Sequence, residues 1–330
     1  METRRLGQDG PEVGMIGLGC WSFAGAYGPT DQAESHRTLA RALELGVDFL
    51  DTANVYGNGV SEEVIGAFIK AHPDRFKIAT KGGIYRPPET NKRTFDNSAE
   101  HLRSALEASL RRLGVDYVDL YYIHRRDPKL PIEDVMETLV RFKEEGKIGG
   151  IGFSEISPTS LRRAHAVHPV MAVQSEYSLW TRQPELGMVQ TAKALSVTFV
   201  PFSPLGRGMF STMPPAPDAF GSLDFRKHNP RFLEPNFSDN LKAIQPFKDL
   251  AADLGATPAA LAIAWVLKRD QGHIPIPGTR SPAHLEELAS AADLSLEPGT
   301  MAEIDKILPP GFAYGHRYSD AQQIGAELYC

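Results

Sequence analysis

Phe49-Leu50-Asp51-Thr52-Ala53-Asn54-Val55-Tyr56-Gly57-Asn58-Gly59-Val60-Ser61-Glu62-Glu63 runs from an apolar pair into an acid, then to a tyrosine five residues on. A glycine-rich turn follows. Ser61 reads as the N-cap of a helix whose positive first turn holds Glu62 and Glu63. An apolar run without polar alternation reads as a strand buried on both faces, as in parallel sheets. The unit is strand, loop, helix, with Asp51 closing the strand.

The same unit recurs in both directions. Upstream, residues 15–20 form the first strand, and a helix over about 31–45 stops at Gly46. Downstream, strands are predicted over 77–81, 118–124, 148–154, 171–177, 198–203 and 274–277. Helices are predicted over 98–113, ended by Gly114, over 131–145, with Pro131 in its first turn, and from Ser157-Pro158 onward. Eight strand–helix units with no Pro-, Gly- or Ser-rich linker predict an α/β fold, a (β/α)₈ TIM barrel made by residues 1–330 as one domain. Residues 4–13 read as an N-terminal β-hairpin turning at Asp9-Gly10 and plugging the barrel's bottom. Two long stretches, 206–240 and the tail after Leu308, follow the rhythm poorly and are expected as lids over the C-terminal face.

Bulk properties narrow the function. There are 35 Lys+Arg against 41 Asp+Glu, a net charge of −6, and no basic block. That balance argues against a nucleic-acid partner. No run reaches membrane-span length and the start lacks a signal-peptide stretch, so the expectation is a cytoplasmic protein with no membrane partner. Cys20 and Cys330 lie near opposite ends and suit neither a disulfide framework nor a metal site. The oligomeric state has no sequence signal.

Lys81 and His124 close two further strands, so Asp51, Tyr56, Lys81 and His124 can converge above one end of a barrel. A phenol has a reference pKa near 10. A buried ammonium beside Tyr56 is expected to lower it, and Asp51 to keep Lys81 charged and oriented. His124 offers a hydrogen bond to a carbonyl oxygen. The set suits protonation of an oxygen while hydride reaches the adjacent carbon. Singly, a strand-end Asp is more often a cap and a Tyr more often packing. Burying Asp, Lys and His side by side without a task is costly.

The stretch 49–63 resembles the signature of the aldo-keto reductases, and the similarity extends from Gly17-Leu18-Gly19 to Pro277-Gly278-Thr279-Arg280. It is closest in shape to the bacterial and fungal branch that reduces aldehydes, pyridoxal reductases included. The resemblance implies a nicotinamide cofactor, NADP(H), extended across the top of a TIM barrel, and a small-molecule carbonyl substrate. It implies Tyr56 as proton donor, with Asp51 and Lys81 tuning it and His124 orienting the carbonyl.

Phosphate sites of such barrels lie in the loops after the seventh and eighth strands. Here Gly206 and Gly208 let backbone amides approach a pyrophosphate and Arg207 adds charge. By family similarity Phe202 stacks on the nicotinamide. Ser203, Pro204, Leu205 and Gly206 line the pyrophosphate. Gly278 is a further cofactor contact, and Thr279 and Arg280 match the holders of a ribose 2′-phosphate, which favours NADPH over NADH. Ser154 and Gln174 match contacts to the carboxamide, where Glu155 replaces the commoner Asn. Glu287 matches an adenine contact, with His284 and Leu288 departing from the usual residues.

Trp21 is read either as a wall of the substrate pocket touching the nicotinamide or as a plain rim aromatic. Arg125 and Arg126 read first as a solvated charge pair, and otherwise as a preference for anionic substrates. Tyr85, Trp180, Phe210, Phe220, Phe225, Phe232 and Tyr314 are expected to rim the pocket. Two rival functions stand beside aldehyde reduction. One is a sugar or alcohol dehydrogenase running oxidatively. The other is a nicotinamide-loaded regulatory subunit resembling the potassium-channel β-subunits.

Overall fold

The structure, a computed structural model, describes residues 1–330 except Pro88, Asn91, Leu223 and Cys330. The reading of Cys330 therefore falls outside the described residues, while Cys20 is buried and free. In chain order the strands are β1 (Thr3–Arg5), β2 (Glu12–Gly14), β3 (Leu18–Gly19), β4 (Phe49–Asp51), β5 (Lys77–Gly82), β6 (Ile84–Tyr85), β7 (Thr94–Phe95), β8 (Val118–Ile123), β9 (Ile148–Ser154), β10 (Ala172–Glu176) and β11 (Thr198–Phe202). The helices are α1 (Gln32–Leu45), α2 (Val60–Ile69), α3 (Ala99–Leu113), α4 (Ile132–Glu144), α5 (Pro158–Val167), α6 (Met188–Ala194), α7 (Asn236–Asp253), α8 (Pro258–Arg269), α9 (Pro282–Ala289), α10 (Pro298–Ile307) and α11 (Asp320–Gln323).

Seven strands form one parallel sheet in the order β3-β4-β5-β8-β9-β10-β11. The predicted eighth strand closes the ring without becoming a ladder. Ile274 N donates to Phe199 O and Ile276 N to Pro201 O, each at 3.0 Å. On the other side Gly17 N donates to Pro275 O at 2.9 Å and Gly19 N to Pro277 O at 3.0 Å. The two prolines stand where N–H groups would face β3, and they have none to give. The first predicted strand is shortened for a local reason, since Cys20 already opens a 3-10 turn over Cys20–Ala24.

Helix ends follow their capping chemistry. Asp31 accepts from Ala33 N, Ser98 from His101 N, and Ser157 from Ser160 N. Gly46 and Gly114 end α1 and α3 at φ of 74° and 70°. Two capping expectations change. The α2 helix starts at Val60 behind Gly59, and Ser61 turns inward, donating to Cys20 O and accepting from Thr52 Oγ1, both at 2.9 Å. Pro131 is extended, with ψ of 136°, and precedes α4 instead of entering its first turn.

The N-terminal hairpin pairs Arg4 with Val13. Its turn is wider than two residues, because Leu6 N bonds Pro11 O and Gly10 N bonds Leu6 O, each at 3.0 Å. Leu6 and Val13 are fully buried among Phe49, Ala79, Leu120, Tyr122 and Val200, which point into the barrel. The plug is real and apolar. Outside the ring, a second and larger core joins strands to helices, with Trp265, Phe142 and Phe153 among its largest buried members. Among the described residues no single helix is long and apolar enough to cross a membrane.

Leu6→Ala removes a side chain with no exposed surface from this apolar plug. The expected loss is about 2–5 kcal/mol. Urea unfolding monitored by circular dichroism measures it, and an unchanged midpoint would contradict the plug's contribution.

Candidate active site

Strand register gathers the polar groups. Asp51 pairs across to Gly19 and Ala79, Lys81 to Tyr122, and Gln174 to Ser154. His124 follows directly, its N–H bonded to Gly82 O at 2.8 Å. Lys81 has no exposed surface; its ammonium donates to Asp51 and, at 2.8 Å, to Thr52 O. Gln174 Nε2 donates to the other Asp51 oxygen at 2.8 Å. The carboxylate therefore has donors on both oxygens, which is what a buried charge requires.

Tyr56 heads a 3-10 turn, Tyr56–Gly59, that swings its ring over this pair. Gly57 sits at φ 60°, and a Cβ there would meet the Ala24 Cβ at 2.9 Å, so the turn needs glycine twice over. The Tyr56 ring stacks on Trp21 with centroids 5.6 Å apart, meets His124 edge-on at 5.7 Å, and has the Lys81 Nζ 5.2 Å from its centroid. Trp21 thus walls the site.

The electrostatics correct one expectation. Tyr56 is held well above the ordinary phenol range, first by burial and then by the Asp51 charge; Arg125 opposes the rise. The Lys81 ammonium spends its hydrogen bonds on Asp51 and Thr52 and makes none with the phenol. Burial wins over the cation, and the phenol keeps its proton. Burial likewise raises Asp51 and lowers Lys81, each opposing the other's shift. His124 is held well below the usual imidazole range by burial, with Lys81 and Arg125 adding to it, so the ring is neutral.

These groups open on one cavity of about 1080 Å³. Trp21, Asp51, Tyr56 and His124 line it, as do Ser154, Gln174 and Phe202. Farther along lie Ser203, Pro204, Leu205 and Arg207, then Gly278, Thr279, Arg280, His284 and Glu287. Lys81 and Gly206 stand behind this wall. Gly206, at φ 57°, is where a Cβ would lie 2.6 Å from the Trp180 ring.

The far end fits a dinucleotide on its own evidence. Glu287 Oε1 is buried with no partner. Ser281 caps α9, and Thr279 Oγ1 accepts from Ser281 N at 3.1 Å, which presents the helix N-terminus to the cavity. The Arg280 guanidinium is paired to no carboxylate among the described residues, although its carbonyl accepts from Thr38 Oγ1 at 2.6 Å.

Several residues lie elsewhere than expected. Arg207 does not add free charge: its guanidinium is buried against Glu176 at 2.6 Å and donates to Arg317 O at 2.7 Å. Glu155 does not line the cavity: it accepts from Glu176 N at 2.9 Å and Arg317 at 2.5 Å. Arg125 and Arg126 are not a solvated pair. Arg125 is buried, on Ser154 Oγ at 3.0 Å, and Arg126 pairs with Glu327 at 2.6 Å. Of the expected aromatic rim only Phe225 reaches the cavity. Trp180, Phe210, Phe220 and Phe232 are buried and anchor the 206–240 loop to the outer core. Tyr27, Arg93, Tyr318 and Gln322 line the cavity and were missed. Only the aromatic content of the tail hinted at the last two.

The tail is tied down by charge. Arg317 bridges Glu155 and Glu176, and Glu327 N donates to Glu155 O at 2.9 Å. Burial pushes Glu155 up, but the ion pair with Arg317 and the nearby Arg125 charge outweigh it and hold Glu155 below its ordinary value of 4.5. A depressed carboxyl stabilises the fold above its unfolded pKa and loses that contribution as pH falls through the folded one. Arg317→Ala leaves two buried carboxylates short of a partner, at a cost of about 3–5 kcal/mol. Urea midpoints from pH 7 downward should show the mutant–wild-type gap shrinking below about pH 4.5. A gap independent of pH would contradict the pairing.

Comparison with known proteins agrees with this geometry. The model of the aldo/keto reductase family matches residues 15–309. The chain is 38% identical over 321 residues to the aldo-keto reductase yakc [NADP(+)] of Schizosaccharomyces pombe, covering 96% of this chain and 94% of that protein. It is 39% identical over 316 residues to probable aldo-keto reductase 1 of Glycine max, covering 95% and 91%. The glycerol dehydrogenase AKR11B4 from Gluconobacter oxydans aligns with a TM-score of 0.84 at 30% identity, over 93% of this chain and 94% of that one. An aldo/keto reductase from Klebsiella pneumoniae, solved with NADP and acetate, aligns at 0.75 and 25% identity, over 96% and 98%. By the span of the family model and the identity to these relatives, the chain belongs to the aldo/keto reductase family.

Proposed function

We propose that this protein is an NADPH-dependent reductase of aldehydes, and of some ketones, with Tyr56 as general acid. The observation that carries the reading is the convergence of the Tyr56 and His124 rings over the buried Lys81–Asp51 pair at one cavity wall. NADPH, when bound, supplies the hydride that adds to the carbonyl carbon. Tyr56 gives its phenolic proton to the carbonyl oxygen as that bond forms, so the product leaves as an alcohol. A phenol held above its ordinary range by burial carries its proton at neutral pH, and its donation depends on charge that stabilises the phenolate left behind. His124, neutral, offers one ring N–H to the same oxygen. Lys81 and Asp51 keep each other in place beneath the ring, and Lys81 supplies the positive field that a developing phenolate needs.

The cofactor residues are assigned on the same footing. Phe202 and Trp21 flank the nicotinamide end, with Ser154 and Gln174 near its carboxamide. Ser203, Pro204 and Leu205 face the pyrophosphate with Gly206 behind them, Thr279 and Arg280 face the 2′-phosphate, and Glu287 the adenine. Oxidation of an alcohol by the same residues run backwards is the second reading. The likeness to a glycerol dehydrogenase favours it.

Tyr56→Phe removes the acid and nothing else of size. Reduction of benzaldehyde should fall at least about 100-fold, while NADPH titration by fluorescence stays near wild type. Retained reduction would mean that another group gives the proton. Arg280→Ala should weaken NADPH far more than NADH, by about 10-fold or more for a lost charge-assisted contact. Equal loss for both cofactors, measured by the same titration, would reassign the 2′-phosphate.

A further inference from the structure

The cavity mouth carries positive charge that neither the proton transfer nor the dinucleotide accounts for. Arg93, just before β7, and Arg125, just after His124, both line it. Arg125 is 9% exposed. Its Nη1 is spent on His124 O at 2.7 Å and Ser154 Oγ at 3.0 Å, and its Nε is buried without a partner. Arg93 donates Nη2 to Ala321 O and Ile324 O, both at 2.8 Å. Among the described residues neither guanidinium is paired to a carboxylate. Of the other arginines that line the cavity, Arg207 pairs with Glu176 and Arg226 with Asp224, while Arg280 stands at the opposite, phosphate end.

Position separates these two from the phosphate end. They follow β5 and β8, the third and fourth staves. In a ring of eight, those staves stand opposite the seventh and eighth, which carry Ser203–Gly208 and Thr279–Arg280. Arg93 and Arg125 therefore face the Tyr56–His124 side. A nearly buried guanidinium with an unpartnered Nε and no carboxylate in contact is costly, and a ligand that brings a carboxylate to it recovers that cost.

We propose that Arg125, supported by Arg93, forms an anion subsite that selects carbonyl substrates bearing a carboxylate near the reacting carbonyl. The planar guanidinium offers charge-assisted hydrogen bonds matched to a carboxylate. The proposal rests on Tyr56 and His124 holding the carbonyl oxygen, since that fixes which end of the substrate lies beside Arg125.

The test compares 4-carboxybenzaldehyde with its uncharged methyl ester, following NADPH oxidation. The acid should be preferred about 10-fold or more in kcat/KM, chiefly through KM. Arg125→Gln should bring the two to parity, and Arg125→Lys should restore part of the preference. Parity in the wild type, or a preference that survives in Arg125→Gln, overturns the subsite. Should Arg125→Gln fail to fold, Arg93→Gln is read instead, and an undiminished preference there overturns the pairing of the two arginines. If 4-formylphenyl phosphate outperforms the carboxylate, the carboxylate assignment falls. Benzoate and benzamide binding to the NADPH-loaded protein, by calorimetry, reads the same subsite without turnover: benzoate should bind about 10-fold more tightly, and equal affinity overturns the proposal. Failure to reduce any aldehyde would instead overturn the reductase reading.

Discussion

A lysine with no exposed surface, bonded to an equally buried aspartate at the rim of a barrel, is the constraint around which this molecule is arranged. Two charges cannot be taken out of water unless every remaining donor and acceptor is met. The Thr52 carbonyl and the Gln174 amide complete that shell, and each comes from a different stave. Because the shell spans β4, β5 and β10, the pair requires the ring to be closed at its correct register. A slip of one residue on any of these strands would turn the charged side chains onto the opposite face of the sheet. The Tyr56 turn and the His124 position then follow with little freedom.

Much of this could be read in the chain before any coordinates. Strand-ending Asp51, Lys81 and His124 are recognisable because polar residues that stop apolar runs are rare and must be satisfied. The α1 and α3 boundaries were legible because Asp31, Ser98, Gly46 and Gly114 carry local capping chemistry. What escaped was decided by distant partners. Ser61 carries a capping residue's chemistry, yet Cys20 and Thr52 claim its hydroxyl. Arg207 sits in a phosphate-like loop, yet Glu176 takes it. The ladder of the eighth stave failed because two prolines withhold donors, a point the sequence states but strand periodicity ignores. The sign of the Tyr56 shift needed depth of burial, which spacing cannot supply.

The tail and the 206–240 loop are stabilised by different means, and that difference bears on how the mouth is shaped. The loop has aromatic rings packed on rings, Phe220 on Phe232 and both joined to the outer core. The tail has few such contacts and relies on Arg317, Glu327 and the carbonyls that Arg93 grips. Salt weakens the exposed part of such ties and leaves ring packing untouched.

The Ile274–Pro277 stave has a consequence for how the barrel breathes. Its bonds to β3 run in one direction only, from Gly17 and Gly19 towards Pro275 and Pro277, so this seam lacks the return bonds of a full ladder. A cylinder with one under-stitched edge parts there first, and it parts beside the residues assigned to the phosphates. Slow amide exchange should therefore persist longest across β8 and β9, diametrically away, leaving the ligand-facing edge as the compliant side of an otherwise stiff ring.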